Sequence, residues 1–411
     1  MDLVKIKEYF ESNVEALEKE LTGVSVDTDI LEDDARTVKI MVDYKQNILT
    51  EFKDSLTPDI EYYINGYFEL WFQKSLVTIK DLHSKREHIY NKMLELKQLK
   101  LPEQRSDEWY KIRENLLTAS SLADALGKGH FQTRDGLLVA KTSVQKDTFS
   151  KASRDIMQWG VKYEPVATMF YEHLNNVKVV EFGLIPHPNL SVFGASPDGI
   201  NDIDSPSGLV GRMLEIKCPP KRVFTKEVPK HYWMQMQGQL EVCDLEECDF
   251  LQVKLEEYND QSDYESDYES DYESDVNEDF KIGFTKDNLP KGLVLEYVIG
   301  ESIEYEFSPW LSDLSDILTW KNEIIESRGK HTVEKWWKIT RYECTLVRRD
   351  KEWWSSIVPD IIKFWSEVVH YREVGNEEVL KKIQSRKRGP RKQVHTIQAP
   401  MKGYLMDSDE E

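Results

Sequence analysis

Cysteine is scarce, with four among 411 residues, at Cys218, Cys243, Cys248 and Cys344. Their spacing suggests no disulfide framework, which points to an intracellular, reducing compartment. Cys243-x-x-x-x-Cys248 has no second ligand pair nearby, which argues against a zinc module. No apolar run approaches the length needed to cross a bilayer. The first residues also lack a signal-peptide pattern, so no membrane partner is expected. Positive charge is in deficit too: 54 Lys and Arg against 75 Asp and Glu leave a net charge of −21. That balance sits badly with a phosphate-rich partner, because anionic surfaces repel phosphate.

Much of the deficit is local. The stretch 256–279 holds twelve Asp or Glu and no Lys or Arg, and without it the net charge is −9. Ser-Asp-Tyr-Glu occurs there three times in succession, from Ser262, Ser266 and Ser270. Such a tract has little to bury and reads as a disordered, solvated insertion following the strand at Phe250 to Leu255. It interrupts a folded domain at a surface loop, where insertions cost little entropy.

The ends differ from the middle. Segments 8–21, 34–56 and 76–99 show helical spacing with mixed charges, and Pro102 marks a boundary, so 1–101 reads as a helical appendage. At the other end, Lys381, Lys382, Arg386, Lys387, Arg388, Arg391 and Lys392 form a basic block before an acidic finish. Residues 373–411 therefore read as a flexible tail. It could hold nucleic acid, serve as a nuclear import signal, or simply aid solubility. Trp353, Ile357, Ile361 and Phe364 recur at helical spacing and form a buried face.

The chemistry sits between Phe193 and Pro219. Ser196-Pro197-Asp198-Gly199 reads as a turn, with Pro presetting φ and Gly allowing the reversal. Leu214-Glu215-Ile216-Lys217-Cys218-Pro219 reads as a short strand, whose alternate residues share a face. Glu215 and Lys217 then point together while Ile216 enters a core, and the hairpin brings Asp198 beside Glu215. A carboxylate pair able to hold Mg²⁺ beside a fixed ammonium is what phosphodiester hydrolysis needs. Upstream, Glu164 precedes Pro165 at the entrance of a helix carrying Val166, Met169, Phe170 and Leu174. Downstream, Tyr232 to Val242 reads as a helix beside the site, with Gln237 able to reach water or phosphate. Thr118-Ala119-Ser120-Ser121 can cap the helical run that follows it.

These motifs, in this order, resemble the lambda-exonuclease branch of the PD-(D/E)xK nucleases, the YqaJ-like viral recombinase family. The likeness rests on five pieces. They are Arg113 to Ser120 with its Thr-Ala-Ser ending, Glu164 in Gly-x-x-x-Glu-Pro-x-Ala, Asp198 in Ser-Pro-Asp-Gly, Glu215 and Lys217 in Glu-Ile-Lys-Cys-Pro, and Gln237 in Gln-x-Gln. The resemblance implies an α/β core over 102–372, restriction-endonuclease-like, with a mixed central sheet flanked by helices. Asp198, Glu215 and the Ile216 backbone carbonyl would bind two Mg²⁺ or Mn²⁺ ions, with Glu164 acting directly or through water. Lys217 would be the catalytic lysine, Gln237 would lie near the nucleophile, and Arg113 and Ser120 would hold a 5′-phosphate.

The implied substrate is the end of double-stranded DNA, digested from 5′ to 3′ in recombination, repair or viral genome processing. A single-strand annealing protein is an implied partner, and relatives form trimers. A viral source would place the protein in host cytoplasm or nucleus. No cysteine precedes Cys218, which argues against the iron–sulfur cluster of a related branch. Two rival readings keep the fold: an internal DNA cutter, and a silent scaffold that binds DNA ends. Arg113 and Ser120 favour the exonuclease over the first, and the presence of Asp198, Glu215 and Lys217 favours it over the second.

Overall fold

The computed structural model describes residues 87–387 apart from 103–105, 131, 144–150, 208, 222–223, 225, 268–282, 301 and 329–331, together with positions 42, 43, 46, 47 and 50. A helix over 87–98 comes first. It is followed by α1 (Asp107–Glu114), β1 (Leu117–Thr118), α2 (Leu122–Ala125), α3 (Arg134–Thr142) and the long α4 (Lys151–Asn175). Short strands β2 (Val179–Val180), β3 (Ile185–Pro186), β4 (Phe193–Ala195) and β5 (Gly199–Asn201) lead to β6 (Met213–Lys217). The chain continues through α5 (Lys230–Cys243), β7 (Glu247–Glu257) and α6 (Gln261–Ser266). It ends with β8 (Lys291–Ile299), β9 (Ser302–Phe307), α7 (Leu314–Arg328), β10 (Val333–Arg348), α8 (Lys351–Val374) and α9 (Glu377–Lys387).

Seven strands form one mixed sheet in the order β2-β5-β6-β7-β10-β8-β9, and β1-β4-β3 form a small second sheet. β5 and β6 are antiparallel, whereas β6 and β7 are parallel and joined by α5. This is the expected mixed α/β architecture with helices on both faces. Alternation along β6 builds it. Leu214 and Ile216 pack with Tyr163, Val166 and Phe170 of α4, and Met213 joins Met236 and Leu240 of α5 on the opposite face. β7 repeats the pattern, with Phe250 on the α5 side and Leu251 and Val253 on the α4 side. Ile357, Ile361 and Phe364 of α8 are buried over the α5 layer, as the helical spacing predicts, whereas the buried tryptophan of that face is Trp354 and Trp353 is only partly covered.

Three boundaries differ from the sequence reading. The helix over 87–98 belongs to the main body: Met93 and Leu96 are in the core, and Lys97 Nζ reaches Asp202 at 2.6 Å. Gly183 lies so close to the Pro102 carbonyl that a Cβ would collide with it, so Pro102 is packed into the domain and does not bound it. The rest of the expected N-terminal helices lies outside the described residues, apart from the five positions named above. The acidic tract does not begin as a solvated insertion: 256–267 are folded. Asp260 caps α6, Tyr264 buries its ring 4.6 Å from that of Trp336, and Asp267 pairs with Lys338 at 2.8 Å. A tyrosine anchor and a lysine counter-charge thus fold the first repeat; 268–282 lie outside the described residues. The C-terminal block is likewise not a tail up to Lys387. Val379 of α9 is buried, and Arg386 reaches Asp135 of α3 at 2.7 Å.

Candidate active site

Strand β6 ends at the site. Glu215 is fully enclosed, and its carboxylate accepts three N–H groups: Lys217 Nζ and Gln235 Nε2 (2.6 Å) on Oε1, and Gln239 Nε2 on Oε2 (2.7 Å). Lys217 lies on the same face because two residues on a strand bring side chains to one side. Its Nζ also donates to the Ile216 carbonyl at 3.0 Å, lies 3.9 Å from Asp198 Oδ2, and sits 5.2 Å from the Tyr232 ring centroid. Asp198 precedes β5, and its Oδ2 accepts the Ile216 N–H at 2.7 Å. The turn therefore does bring Asp198 beside Glu215 and Lys217.

The charges respond to one another. Burial pushes the Asp198 carboxyl well above its ordinary range, and the negative charges of Glu215 and Glu164 push it further. For Lys217 burial opposes the ammonium, yet Glu215 and Asp198 outweigh it and hold the amine protonated. Burial raises the neighbouring Cys218 thiol, again with Glu164 in support, so it stays neutral. Glu164 thus acts on this site as a third negative charge.

Two sequence expectations need correction. Glu164 lies inside α4 and not at its entrance, because the helix runs from Lys151 straight through Pro165. Gln237 turns away from the carboxylates. Its Nε2 donates to the Arg348 carbonyl at 2.8 Å and its Oε1 accepts the Asp350 N–H at 2.6 Å, so it ties α5 to the start of α8. Helical geometry explains the swap: residues four apart share a face, and a residue two away points to the other side. Gln235 and Gln239, at that four-residue spacing, are the pair on Glu215. The signal was present in the sequence as Gln-x-x-x-Gln.

Could this group hold a divalent cation? Among the described residues, no cluster of three or more His, Cys, Asp and Glu side chains is placed to hold a metal ion. Two carboxylates and the Ile216 carbonyl do converge, however, and Gln239 Oε1 is a buried acceptor without a hydrogen-bond partner. Three acids against one lysine leave the site short of positive charge. An all-oxygen donor set of this kind suits Mg²⁺ or Mn²⁺. The residues present fit such an ion.

Arg113 and Ser120 are also brought together, with Arg113 Nη2 donating to Ser120 Oγ at 3.0 Å. Arg113 ends α1 and stacks over Trp109 at 4.8 Å, and burial lowers its pKa. Ser120 Oγ is 3.1 Å from Thr118 Oγ1. Helix α5 links this pair to the acids. A Cβ on Gly238 would press on Ala119 at 3.2 Å and on Phe193 at 2.9 Å, so only glycine lets the helix lie so close. One turn of α5 therefore faces Glu215 through Gln235 and Gln239 and backs onto the Thr-Ala-Ser segment.

Comparison with known proteins agrees with the motif order. Residues 108–246 match the YqaJ-like viral recombinase domain. A curated protein of Acanthamoeba polyphaga mimivirus, described as uncharacterized, is 29% identical over 310 residues, which is 66% of this chain and 53% of that protein. The chain thus spans about half the length of this relative. Among solved structures, an alkaline exonuclease from Laribacter hongkongensis aligns with 69% of this chain and 100% of its own, at 21% identity and TM-score 0.38. A phage-related exonuclease from Haemophilus somnus covers 65% and 96%, at 12% identity and TM-score 0.31.

Proposed function

We propose that the chain, whose residues 108–246 match the YqaJ-like viral recombinase domain, is a divalent-metal-dependent exonuclease acting on linear duplex DNA from the 5′ end. The observation that carries the reading is the enclosed Glu215 carboxylate, bridged to Lys217 and adjacent to Asp198 at the end of β6. Asp198, Glu215 and the Ile216 carbonyl would hold the ions, with Glu164 adding charge from α4. When bound, Mg²⁺ or Mn²⁺ supplies neutralisation of the phosphate and a more acidic water. Gln235 and Gln239 fix the plane of the Glu215 carboxylate, so its oxygens are aimed before substrate arrives. Lys217, kept protonated by its acidic neighbours, acts as a donor to a phosphate oxygen and not as a base.

Arg113 and Ser120 give the direction. A guanidinium beside a hydroxyl is a natural seat for a terminal phosphate. Seating the 5′-phosphate there leaves the next phosphodiester bond for the carboxylates, hence 5′-to-3′ progress. The test is Mg²⁺-dependent digestion of linear duplex bearing 5′-phosphate, with 5′-hydroxyl ends and closed circles alongside. Mononucleotide release from phosphorylated ends, absent with circles, is the expected result. Nicking of circles would mean an internal cutter. No cleavage with either ion, but retained end binding, would mean a scaffold.

A further inference from the structure

The end of α1, which carries Arg113, and the turn after it are held by two cations from distant parts of the chain. Lys141, near the end of α3, donates through Nζ to the carbonyls of Arg113 (2.7 Å) and Leu116 (2.8 Å). Arg372, near the end of α8, donates through Nη2 to the Glu114 carbonyl (2.7 Å) and through Nη1 to Asn115 Oδ1 (3.1 Å). Its Nε also donates to the Lys141 backbone carbonyl at 3.0 Å, so Arg372 holds the end of α3 as well. Cations at the carbonyl end of a helix are favourable, and these satisfy acceptors that α1 leaves open.

The arrangement exceeds what a cap requires. Lys141 is driven down to about 8, first by burial and then by the charges of Arg113 and Arg372, with Glu114 alone pulling the other way. Among the described residues, three cations therefore crowd a site where Glu114 is the carboxylate acting on Lys141. Such crowding is costly by itself and is relieved when an anion arrives. Asn376 extends the bracing, donating to Thr142 Oγ1 at 2.8 Å and Ser143 Oγ at 3.0 Å.

We infer that Lys141 is a positioning residue for terminal-phosphate recognition, holding the backbone of Arg113 and Leu116 so that Arg113 and Ser120 meet the phosphate together. Arg372 backs Lys141 from α8. The inference rests on the end-anchor reading given above. It also assigns the 5′-end preference partly to side chains that do not touch the phosphate.

The experiment uses the full chain, with fluorescence anisotropy on duplex oligonucleotides carrying 5′-phosphate or 5′-hydroxyl ends, in chelator so that nothing is cut. The quantity read is the ratio of the two affinities. Lys141→Met should lower the wild-type ratio about tenfold, the scale of a lost charge-assisted contact. Lys141→Arg, which keeps charge and donors, should restore most of it. A thermal melt of each variant checks folding, and Lys141→Gln replaces Lys141→Met if the latter does not fold. An unchanged ratio in Lys141→Met, or an equal fall in Lys141→Met and Lys141→Arg, would overturn the inference while leaving the function intact. A wild-type protein that binds both ends alike would remove the end anchor itself, and this inference with it.

Discussion

The end of β6 and the Thr118–Ser120 segment after α1 both pack against one helix, α5, and the charges around them are opposite. At β6, Asp198, Glu215 and Glu164 face a single Lys217, and the carboxyl of Asp198 is pushed up. At the end of α1, among the described residues, Arg113, Lys141 and Arg372 are offset by Glu114, and the amine of Lys141 is pushed down. Each region carries an excess of charge of one sign, negative at β6 and positive after α1. A rigid helix between them sets the separation. The difference teaches that two opposite charge imbalances are built on one frame; under the proposed function the acidic one would take divalent ions and the basic one a 5′-phosphate.

The hardest blow to the acidic half is Lys217→Ala. Single-turnover cleavage should fall by about a thousandfold, as expected for removing a donor that serves the transition state, while the melting temperature holds. Cleavage at the wild-type rate would remove β6 from the chemistry. The basic half is probed by pH. Lys141 in the folded chain titrates at about 8, and an unfolded lysine near about 10.4. Between those values the unfolded chain holds the extra proton, so stability rises with pH through that window, and below it the cost is full. Urea denaturation at stepped pH should show the wild type gaining up to about 3 kcal/mol over this window relative to Lys141→Met. Parallel curves would mean that the cation cluster is not electrostatically loaded.

A finer test separates the faces of α5. Gln239→Leu should cut activity about tenfold, having removed one donor from Glu215. Gln237→Leu should cost about 1–3 kcal/mol of stability, since it strands the Arg348 carbonyl and the Asp350 N–H. The reverse pattern would restore Gln237 to the site. The smallest effect belongs to Asp135→Asn, which loosens α9 but leaves both charged regions alone. Its partners Arg386 and Lys382 are largely exposed, so a loss below about 1 kcal/mol in chemical denaturation is expected.

Local pattern carried the acidic site. Period two along β6 placed Glu215 with Lys217 and sent Ile216 into the α4 core, and the Ser-Pro-Asp-Gly turn returned Asp198 to them. Helical period likewise exposed the buried face of α8. What escaped was the rotation of α5 about its axis, set by which residues Met236, Gly238 and Leu240 could pack behind; hence Gln237 in place of Gln235 and Gln239. Lys141 and Arg372 escaped for a different reason. They meet the end of α1 from far along the chain, and no spacing rule reaches that distance. Tyr264 and Val379 were misjudged inside charged surroundings, where a single apolar side chain decides whether a segment folds.

β10 carries one more consequence. It lies between β7 and β8 in the sheet, although it is made after both. A growing polypeptide that has emerged only through Asp267 presents β7 as an open edge, with α8 not yet made to cover the α5 layer. Arg372 is also still missing from the end of α1. Synthesis therefore delivers the carboxylates and α5 early and the Arg372 brace late, so the order of translation itself delays the bracing around Arg113.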